Sequence, residues 1–376
     1  MRGRVFILGA GASRNDTMSA EYPSPLATEF FDRNYVNAFW RGGVAKFRRS
    51  KLGIVLRQYF GIEAASGEHV NVEEVYSFLD LAPALVRRPQ LVHTELLDIA
   101  RSELRRYITR VIRETGVLSR KARLYPWLAR NLGEWDSIIS FNWDTLLDTA
   151  LYRGRIPHPL LLRWWELLTP AVPPSAQALD EVKSDIFDEL TAPYQIGGNI
   201  IKLHGSINLA RCVRDSCRRQ VFPYRVADTS CIDDAEFKCL ECGDQLDVML
   251  VPPHVHKSYL TNMQLKFLAS VAALELTRAS EIIIIGYSFP RFDFESQSLF
   301  RVARLEPWEV GQSLTNLNRV VLVNPEVKDC TYVQKVTDLL GVAKSAAHGQ
   351  HIPLVLYETV DGFLAEQQRR PTPHRS

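Results

Sequence analysis

The chain has 376 residues, 46% of them hydrophobic, with 45 basic and 43 acidic residues and a net charge of +2. This length and apolar content allow a large buried core and exclude a disordered or fibrous protein. The near-neutral charge balance argues against nucleic acid as a direct ligand and against an anionic membrane surface. No apolar stretch approaches the ~20 residues that cross a bilayer, so we expect no membrane partner.

The N-terminal segment combines an apolar strand with a glycine-containing turn. Val5-Phe6-Ile7-Leu8 runs directly into Gly9-Ala10-Gly11-Ala12-Ser13. Glycines let backbone N–H groups approach an anion closely, and a helix beginning here would add the positive end of its dipole. The pattern indicates a site for a nucleotide pyrophosphate, although a Gly-Ala-Gly turn also serves ordinary packing of a strand against a helix.

The following segment, about residues 30–130, has a mainly helical pattern. Apolar residues recur at steps of three and four in Val72–Leu81 and in Leu91–Ile112, as one-sided helices require. The pattern predicts a helical subdomain inserted in the sheet domain or covering it. Basic residues crowd positions 41–51 and 101–130, where a solvated helix face or a contact for an acidic partner is favoured over a phosphate-binding groove.

Four later apolar segments end in small or polar residues. They are Ser137–Ser140 before Phe141-Asn142-Trp143-Asp144, Ile200–Leu203 before His204-Gly205, Glu281–Ile285 before Gly286-Tyr287-Ser288, and Arg319–Val323 before Asn324. Each predicts a strand, and open parallel sheets bind ligands at the carboxyl ends of their strands. The expected fold class is α/β, a Rossmann-like parallel sheet with helices on both faces, in which these polar strand ends meet in one crevice.

Six cysteines occur, most of them in one short window. Cys212 and Cys217 are followed after 21 residues by Cys239 and Cys242, which is close to the spacing of a zinc ribbon. Four thiolates around one Zn²⁺ form a closed structural site, so a small zinc-binding module is expected here, with Cys231 as an alternative ligand. This clustering differs from a secreted disulfide framework and favours a reducing cytoplasm.

Taken in chain order, these motifs resemble the sirtuin-like superfamily. The resemblance spans residues 5 to about 326 and rests on Gly9-Ala10-Gly11-Ala12-Ser13, Ser140-Phe141-Asn142-Trp143-Asp144, Lys202-Leu203-His204-Gly205, the cysteine pairs, Gly286-Tyr287-Ser288 and Asn324. The ordinary dinucleotide-binding fingerprint fits less well, because Arg14 occupies the position of its third glycine. An NAD-dependent dehydrogenase is therefore not expected.

In this family NAD+ is a substrate whose nicotinamide–ribose bond is broken. The resemblance implies that Asn142 orients the nicotinamide ribose or the attacking water, that Asp144 fixes the pocket beside it, and that His204 is the base. The other implied NAD+-binding residues form two sets: Gly9, Ala10, Gly11, Ala12 and Ser13 for the phosphates and nearby ribose, and Gly286, Ser288 and Asn324 for the adenosine half.

Two departures weaken a protein-deacylase interpretation. The segment Asn15–Leu26 lacks the Phe-Arg pair of the loop that covers nicotinamide, and Leu250–Lys257 lacks the Phe-Gly-Glu that ends the acyl-peptide strand. The Phe-Asn-Trp-Asp motif and the segment Gly286–Asp293 are instead similar to the divergent bacterial branch found in antiphage-defence NADases. That branch implies NAD+ hydrolysis to nicotinamide and ADP-ribose.

The branch also implies that hydrolysis is gated by self-assembly or by a partner, such as an ATPase or another subunit of a defence system. Two alternatives remain open from the sequence. One is a protein deacylase or ADP-ribosyltransferase, which needs an acceptor besides water. The other is a non-enzymatic sensor that binds NAD+ or ADP-ribose without turnover.

The expected organisation follows from the positions of these motifs. Residues 1–210 and 251–365 would form the sirtuin-like NAD-binding domain, with the helical insertion at about 30–130. Residues 211–250 would form the zinc-binding module, and 366–376 a flexible tail.

Overall fold

The fold is taken from a computed structural model. It describes residues 3–63, 69–85, 94–153, 200–214, 216–217, 224–225, 238–239, 241–251, 263–290, 293–303, 317–342 and 352–369. Cys231, the alternative zinc ligand, lies outside the described residues. Within the part of the chain that is described, no helix is long and apolar enough to span a membrane.

Six parallel strands form the main sheet. Their bounds are β1 Arg4–Leu8, β2 Ser137–Ser140, β3 Ile200–Lys202, β7 Glu281–Ile285, β8 Arg319–Val323 and β9 Leu354–Tyr357. They pair in the order β3-β2-β1-β7-β8-β9. The central strands are apolar on both faces, as a parallel sheet covered on both sides requires. The predicted strands and their parallel arrangement are confirmed.

Twelve helices are assigned in the described residues. In chain order they are α1 Ala10–Thr17, α2 Arg33–Phe39, α3 Gly43–Phe47, α4 Lys51–Phe60, α5 Val72–Leu85, α6 Thr94–Thr115, α7 Leu124–Asn131, α8 Leu146–Arg153, α9 Met263–Arg278, α10 Phe294–Val302, α11 Cys330–Leu339 and α12 Val360–Arg369. Helices α7, α8 and α12 cover one face of the main sheet, and α9, α10 and α11 cover the other. The predicted α/β class with helices on both faces is confirmed.

A second lobe joins the inserted helices to a small antiparallel sheet. Its strands are β4 Gly205–Cys212, β5 Tyr224–Arg225 and β6 Leu246–Leu250, in the order β5-β4-β6. Helices α2 to α6 share one apolar core that also contains Ile207, Val248, Leu250 and Trp143. Because Trp143 lies in the segment just after β2, this core links the helical lobe to the carboxyl edge of the main sheet.

The observed elements overlap the boundaries of the predicted domains. Strands β4 and β6 lie partly or wholly inside the predicted zinc-binding module at 211–250 and pair with each other. Helix α12 extends to Arg369, past the start of the predicted tail. The division into domains stays a prediction.

Candidate functional site

The strand order places a crevice at the carboxyl end of β1. Strands β2 and β3 lie on one side of β1 and strands β7, β8 and β9 on the other, so the order of strands reverses between β1 and β7. Ligands of open α/β sheets bind at such a switch point. Gly9 follows β1 and Gly286 follows β7, so both lie at this point.

The two glycine loops pack against each other through their backbones. A Cβ on Gly11 would lie 2.8 Å from the Gly286 Cα, and a Cβ on Gly286 would lie 2.3 Å from the Ala12 nitrogen. Gly286 also has φ = +62°, a left-handed conformation that disfavours other residues. Close approach of two strand ends therefore explains these glycines without any ligand.

Gly286→Ala should be strongly destabilising because it combines backbone strain with a backbone clash. We expect a loss of about 3 kcal/mol or more in the free energy of unfolding. The matched control is Gly61→Ala: Gly61 has φ = +68°, but a Cβ added there would meet nothing within 4 Å. That variant should lose only about 1–2 kcal/mol, and equal losses in urea unfolding would contradict the packing explanation.

Most amides of the first loop already have acceptors within the protein. Gly9 N–H donates to the Ile285 carbonyl at 3.0 Å, Gly11 N–H to the Gly286 carbonyl at 3.0 Å, and Ala12 N–H to the Gly9 carbonyl at 2.9 Å. Ala10 is exposed, and its amide has no acceptor among the described residues. The loop thus leaves the Ala10 amide, in the first turn of α1, without an acceptor among the described residues, and the predicted phosphate contacts stay a prediction.

Beside this loop lies a narrow cleft between segments of the two lobes. Ala10, Ser24, Pro25, Glu73, Asn142 and Asp144 are among the residues that line it. Its free volume is about 50 Å³, room for roughly four water molecules. The cleft therefore brings the first glycine loop together with the Asn142–Asp144 segment, as the positions of the motifs predicted.

The cleft wall formed by Ser24 and Pro25 is tied to helix α1. Arg14 donates to the Ser24 carbonyl at 3.2 Å and forms an ion pair with Glu29 at 3.0 Å. Ser24 N–H donates to Thr17 Oγ1 at 2.7 Å. Arg14 occupies the position of the third glycine in the dinucleotide-binding fingerprint. Here it fixes the Ser24–Pro25 segment, which forms one wall of the cleft.

The side chain of Asn142 is buried and its orientation is fixed. Its Nδ2 group lies 3.0 Å from the Gly9 carbonyl, 2.9 Å from Ser13 Oγ and 3.2 Å from the Tyr125 hydroxyl. The two amide hydrogens serve these three acceptors, so one hydrogen is shared between two of them. A carbonyl can only accept, so the amide nitrogen must face Gly9. Asn142 Oδ1 is buried without a hydrogen-bond partner among the described residues, and a ligand or water is the usual explanation for such an atom.

Tyr125 completes this network, and its role was not predicted from the sequence. Its hydroxyl lies 2.7 Å from Ser13 Oγ, which donates to Asp144 Oδ2 at 2.5 Å. Burial raises the pKa of Tyr125 well above its ordinary value, so its hydroxyl stays protonated. Since Ser13 donates its proton to Asp144, Tyr125 must donate to Ser13.

Buried Asp16 sets the position of Tyr125. Its carboxylate accepts N–H bonds from Arg123 at 3.1 Å, Leu124 at 3.0 Å and Tyr125 at 2.7 Å. These groups belong to the start of α7, where backbone donors lack partners within the helix. Asp16 therefore fixes the start of α7 and with it the tyrosine that contacts Asn142.

Asp144 is held on both of its oxygens. Besides the Ser13 bond, Asp144 Oδ1 accepts from Leu146 N–H at 2.9 Å, at the start of α8. Burial raises the pKa of Asp144, and these two hydrogen bonds oppose that rise. Lys202, also buried, donates to the Asp144 carbonyl at 2.9 Å and to Asp148 Oδ2 at 2.6 Å, which fixes the backbone of this segment.

His204 lies at the neighbouring strand end, in a second buried cluster. Its Nε2 is 3.2 Å from Asp293 Oδ2, which also accepts from the Tyr287 hydroxyl at 2.6 Å. The Phe141 ring contacts the His204 ring at 4.9 Å between centroids and stacks on Tyr287 at 4.2 Å. Phe141 lines the cleft but His204 does not, and its role as the base stays a prediction.

The residues predicted for the adenosine half lie at the ends of β7 and β8. Ser288 is exposed. Asn324 is buried: its Oδ1 accepts from Glu326 N–H at 3.0 Å and its Nδ2 lies 3.4 Å from the Tyr287 carbonyl. The Asn324 side chain thus caps the following 3₁₀ turn. Its contact with adenosine stays a prediction.

The four predicted metal-ligating cysteines form one cluster at the end of β4. The Sγ atoms of Cys212, Cys217, Cys239 and Cys242 all lie within 4.8 Å of one another. Two separations are 3.3 Å, between Cys212 and Cys242, and 3.7 Å, between Cys217 and Cys239. A Zn–S bond of about 2.3 Å implies tetrahedral S–S edges of roughly 3.8 Å, so the four thiols fit a structural Zn²⁺ site.

Comparison with known proteins gives a consistent set of distant structural neighbours. Three solved structures cover most of the chain. A Sir2 complex with an inhibitor, 2'-O-acetyl-ADP-ribose and a deacetylated p53 peptide covers 97% of this chain and 92% of its own, with 13% identity and a TM-score of 0.33. A Sir2 structure with p53 peptide and NAD+ covers 97% and 91%, with 15% identity and a TM-score of 0.33.

The third neighbour is a mutant Sir2 homologue bound to ADP-ribose, which covers 90% of this chain and 93% of its own, with 15% identity and a TM-score of 0.31. No protein-family model and no curated protein matches the chain.

Proposed function

We propose that this protein is an NAD+ hydrolase that cleaves the nicotinamide–ribose bond to give nicotinamide and ADP-ribose. The observation that carries the proposal is the state of Asn142. Its amide nitrogen donates its two hydrogens among three nearby acceptors, which fixes the side chain. Its buried oxygen has no partner among the described residues, and Asn142 lines the cleft. A fixed acceptor of this kind can orient a ribose hydroxyl or an attacking water.

Water attack fits the chemistry of glycosidic cleavage. The bond breaks through a cationic, oxocarbenium-like state, nicotinamide leaves with the bonding electron pair, and water adds at the ribose carbon. Asn142 would orient the ribose or this water, and His204 would accept the proton that water loses. Asp293, hydrogen-bonded to His204 Nε2, would stabilise the charged imidazole, as a carboxylate does for a catalytic histidine.

The rest of the NAD+ molecule would lie along the carboxyl edge of the sheet, near the switch point between β1 and β7. Ala10, whose amide has no acceptor among the described residues, and Ser13 would lie nearest to the phosphates and the adjoining ribose. The adenosine half would extend toward Gly286, Ser288 and Asn324 at the ends of β7 and β8. The order of the motifs along the chain and the position of the cleft at the carboxyl ends of β1 and β2, next to the switch point, support this choice of ligand.

Gating of hydrolysis is part of the proposal. Constitutive loss of NAD+ would kill the host cell, and a cleft of about 50 Å³ is much smaller than the ~300 Å³ or more of typical ligand pockets. Opening would require the tied Ser24–Pro25 wall to move.

A homo-oligomer or a partner, such as an ATPase in a bacterial antiphage-defence system in the cytoplasm, would supply the trigger. A fully active monomer in a sizing experiment would contradict gating.

The test compares NAD+ alone with NAD+ plus an acetyl-lysine peptide, following nicotinamide and the ribose product by chromatography. A hydrolase releases nicotinamide at the same rate in both. Release that needs the peptide, with transfer of the acetyl group, would support the deacylase alternative. Binding of NAD+ without turnover under all conditions, including self-assembled protein, would support a sensor.

Tyr125→Phe tests whether the network around Asn142 serves the reaction. Loss of the hydroxyl removes one contact of Asn142 and one of Ser13, so we expect about tenfold slower turnover and a loss of about 1–2 kcal/mol in stability. The control is Tyr107→Phe, which removes a buried hydroxyl that donates to the Phe30 carbonyl at 2.6 Å and does not contact Asn142. Equal effects on turnover in both variants would show that the Tyr125 hydroxyl stabilises the fold and has no specific role in turnover.

A further inference from the structure

Residues 33–57 of the helical lobe carry positive charge and contain no acidic residue. The chain as a whole has a net charge of only +2. The basic residues of this segment are Arg33, Arg41, Lys46, Arg48, Arg49, Lys51 and Arg57. The near-neutral balance of the whole chain therefore conceals a local concentration of positive charge.

Six of these basic residues lie on α3, on α4 or in the turns beside them, and all six are exposed. They form what we call the basic surface: Arg41, Lys46, Arg48, Arg49, Lys51 and Arg57. The Lys46 side chain passes over Gly42, next to Arg41, because a Cβ added to Gly42 would lie 2.2 Å from the Lys46 Cδ. Residues 46–51 are consecutive and lie within about 20 Å of one another. The basic surface is therefore one continuous patch.

One acidic residue faces the basic surface. Glu63 Oε2 lies 3.2 Å from Arg48 Nε, and Glu63 Oε1 lies 3.5 Å from Arg57 Nη1. No ion pair with a described residue is formed by the other four members of the surface. Most of the positive charge on this patch is thus uncompensated within the described part of the chain.

The second basic segment of the sequence, residues 101–130, differs in this respect. Four of its arginines form ion pairs, and these pairs are Arg101–Asp80, Arg105–Asp247, Arg113–Glu114 and Arg123–Asp361. Acidic neighbours therefore offset part of the charge of this segment, whereas the basic surface remains open to an external anion.

The composition of the basic surface fits a polyanion better than a protein partner. Protein interfaces have an apolar centre with few charges. In residues 33–60, all of which the structure describes, Tyr59 is the one large hydrophobic side chain that is exposed. Four of the six members of the surface are arginines, and a guanidinium group binds two phosphate oxygens at once. Closely spaced cations without an apolar centre match the regular charges of a phosphodiester backbone.

We propose that the basic surface binds a nucleic-acid strand through its phosphodiester backbone, without reading the base sequence. Its arginine and lysine side chains would contact phosphate oxygens and release the counterions that surround the strand. This function is separate from NAD+ hydrolysis and goes beyond it, so either proposal can fail while the other stands.

The experiment measures binding of defined oligonucleotides to the full chain. The probes are a fluorescein-labelled single strand of about 20 nucleotides, long enough to cover the patch, and the DNA duplex of the same sequence. Fluorescence anisotropy is followed at several salt concentrations between about 50 and 200 mM. Vesicles of phosphatidylcholine with phosphatidylserine, tested by co-sedimentation, provide an anionic surface that is not a nucleic acid.

Two charge-reversal variants are compared with the wild type, each with three exposed basic residues replaced by glutamate. The test variant combines changes within the basic surface: Lys46→Glu, Arg49→Glu and Lys51→Glu. The matched control combines changes at exposed residues outside it: Arg120→Glu, Lys121→Glu and Arg130→Glu. Both variants lose the same net charge, so only the position of the charge differs. Circular dichroism verifies that both are folded.

The wild type should bind the single strand with a Kd of about 1–100 μM and a strong salt dependence. The test variant should bind at least about tenfold more weakly, and the slope of log affinity against log salt should fall by about 2, because three phosphate contacts are lost. The control variant should stay within about threefold of the wild type.

Three results would overturn the proposal. The first is equal weakening in both variants, which would assign binding to net charge alone. The second is no binding of either oligonucleotide to the wild type at the lowest salt concentration. The third is binding of the vesicles alone, lost in the test variant, which would assign the basic surface to an anionic membrane.

Discussion

Asn142→Ala should lower NAD+ turnover by about 100- to 1000-fold, equivalent to about 3–4 kcal/mol of transition-state stabilisation. The physical reason is the loss of Asn142 Oδ1, the buried oxygen whose side chain is oriented by the contacts of its nitrogen with Gly9, Ser13 and Tyr125. Turnover is measured as nicotinamide released from NAD+ under the conditions that activate the wild type. The effect should fall mainly on kcat, because the orienting contact strengthens as the bond breaks.

Asn34→Ala is the matched control for this variant. Asn34 lies on the exposed face of α2, and its substitution makes the same chemical change away from the cleft. It should leave turnover within twofold. If Asn142→Ala kept more than a third of wild-type turnover while remaining folded, the assignment of Asn142 to the reaction would be wrong.

Cys239→Ser should abolish stoichiometric zinc binding and destabilise the second lobe. Substitution leaves three thiolates around the ion, and the free energy of zinc binding by such sites is part of the free energy of folding. We expect about 3–5 kcal/mol lower stability and a melting temperature about 10 °C lower. Metal analysis of the purified wild type should give about one zinc per chain.

Cys330→Ser is the control for the zinc variant. Cys330 is an exposed free cysteine at the start of α11, outside the cluster of four. Its substitution should change neither zinc content nor melting temperature. A Cys239→Ser protein with full zinc content and unchanged melting would show that another residue supplies the fourth ligand, and would contradict the Cys212–Cys217–Cys239–Cys242 assignment.

The sheet could be predicted because most of its strands are short apolar runs ending in a glycine, asparagine or histidine. Parallel sheets place such ends at one edge, and this brought Gly9, Asn142 and Gly286 to the crevice without any knowledge of long-range contacts. The cysteine cluster was predictable for a similar reason, since four thiols at this spacing serve one ion. These features depend on local pattern.

The network around Asn142 could not be predicted in the same way. Tyr125 reaches Ser13 from 112 residues away in the chain, and its position depends on the contact of α7 with Asp16 in the last turn of α1. The sequence around it reads as an ordinary amphipathic helix.

The glycines of the Gly9–Ser13 loop could be explained from the sequence in two ways. The sequence favoured contact with phosphates, whereas the amides of Gly9, Gly11 and Ala12 have acceptors within the protein. The left-handed Gly286 and the close contact of the two loops account for the glycines through packing. The choice between these explanations depends on β7, which lies far away in sequence but pairs directly with β1.

The most direct test of the central claim is the fate of oxygen during NAD+ cleavage. Purified protein is incubated with NAD+ alone in water enriched in oxygen-18, and the products are measured by mass spectrometry. Hydrolysis predicts equal amounts of nicotinamide and ADP-ribose, with one labelled oxygen in the ADP-ribose. A ribose product that forms only with an acyl-lysine peptide and carries its acyl group would contradict the account, even though it also contains one labelled oxygen, because acyl transfer to the ribose consumes one water as well.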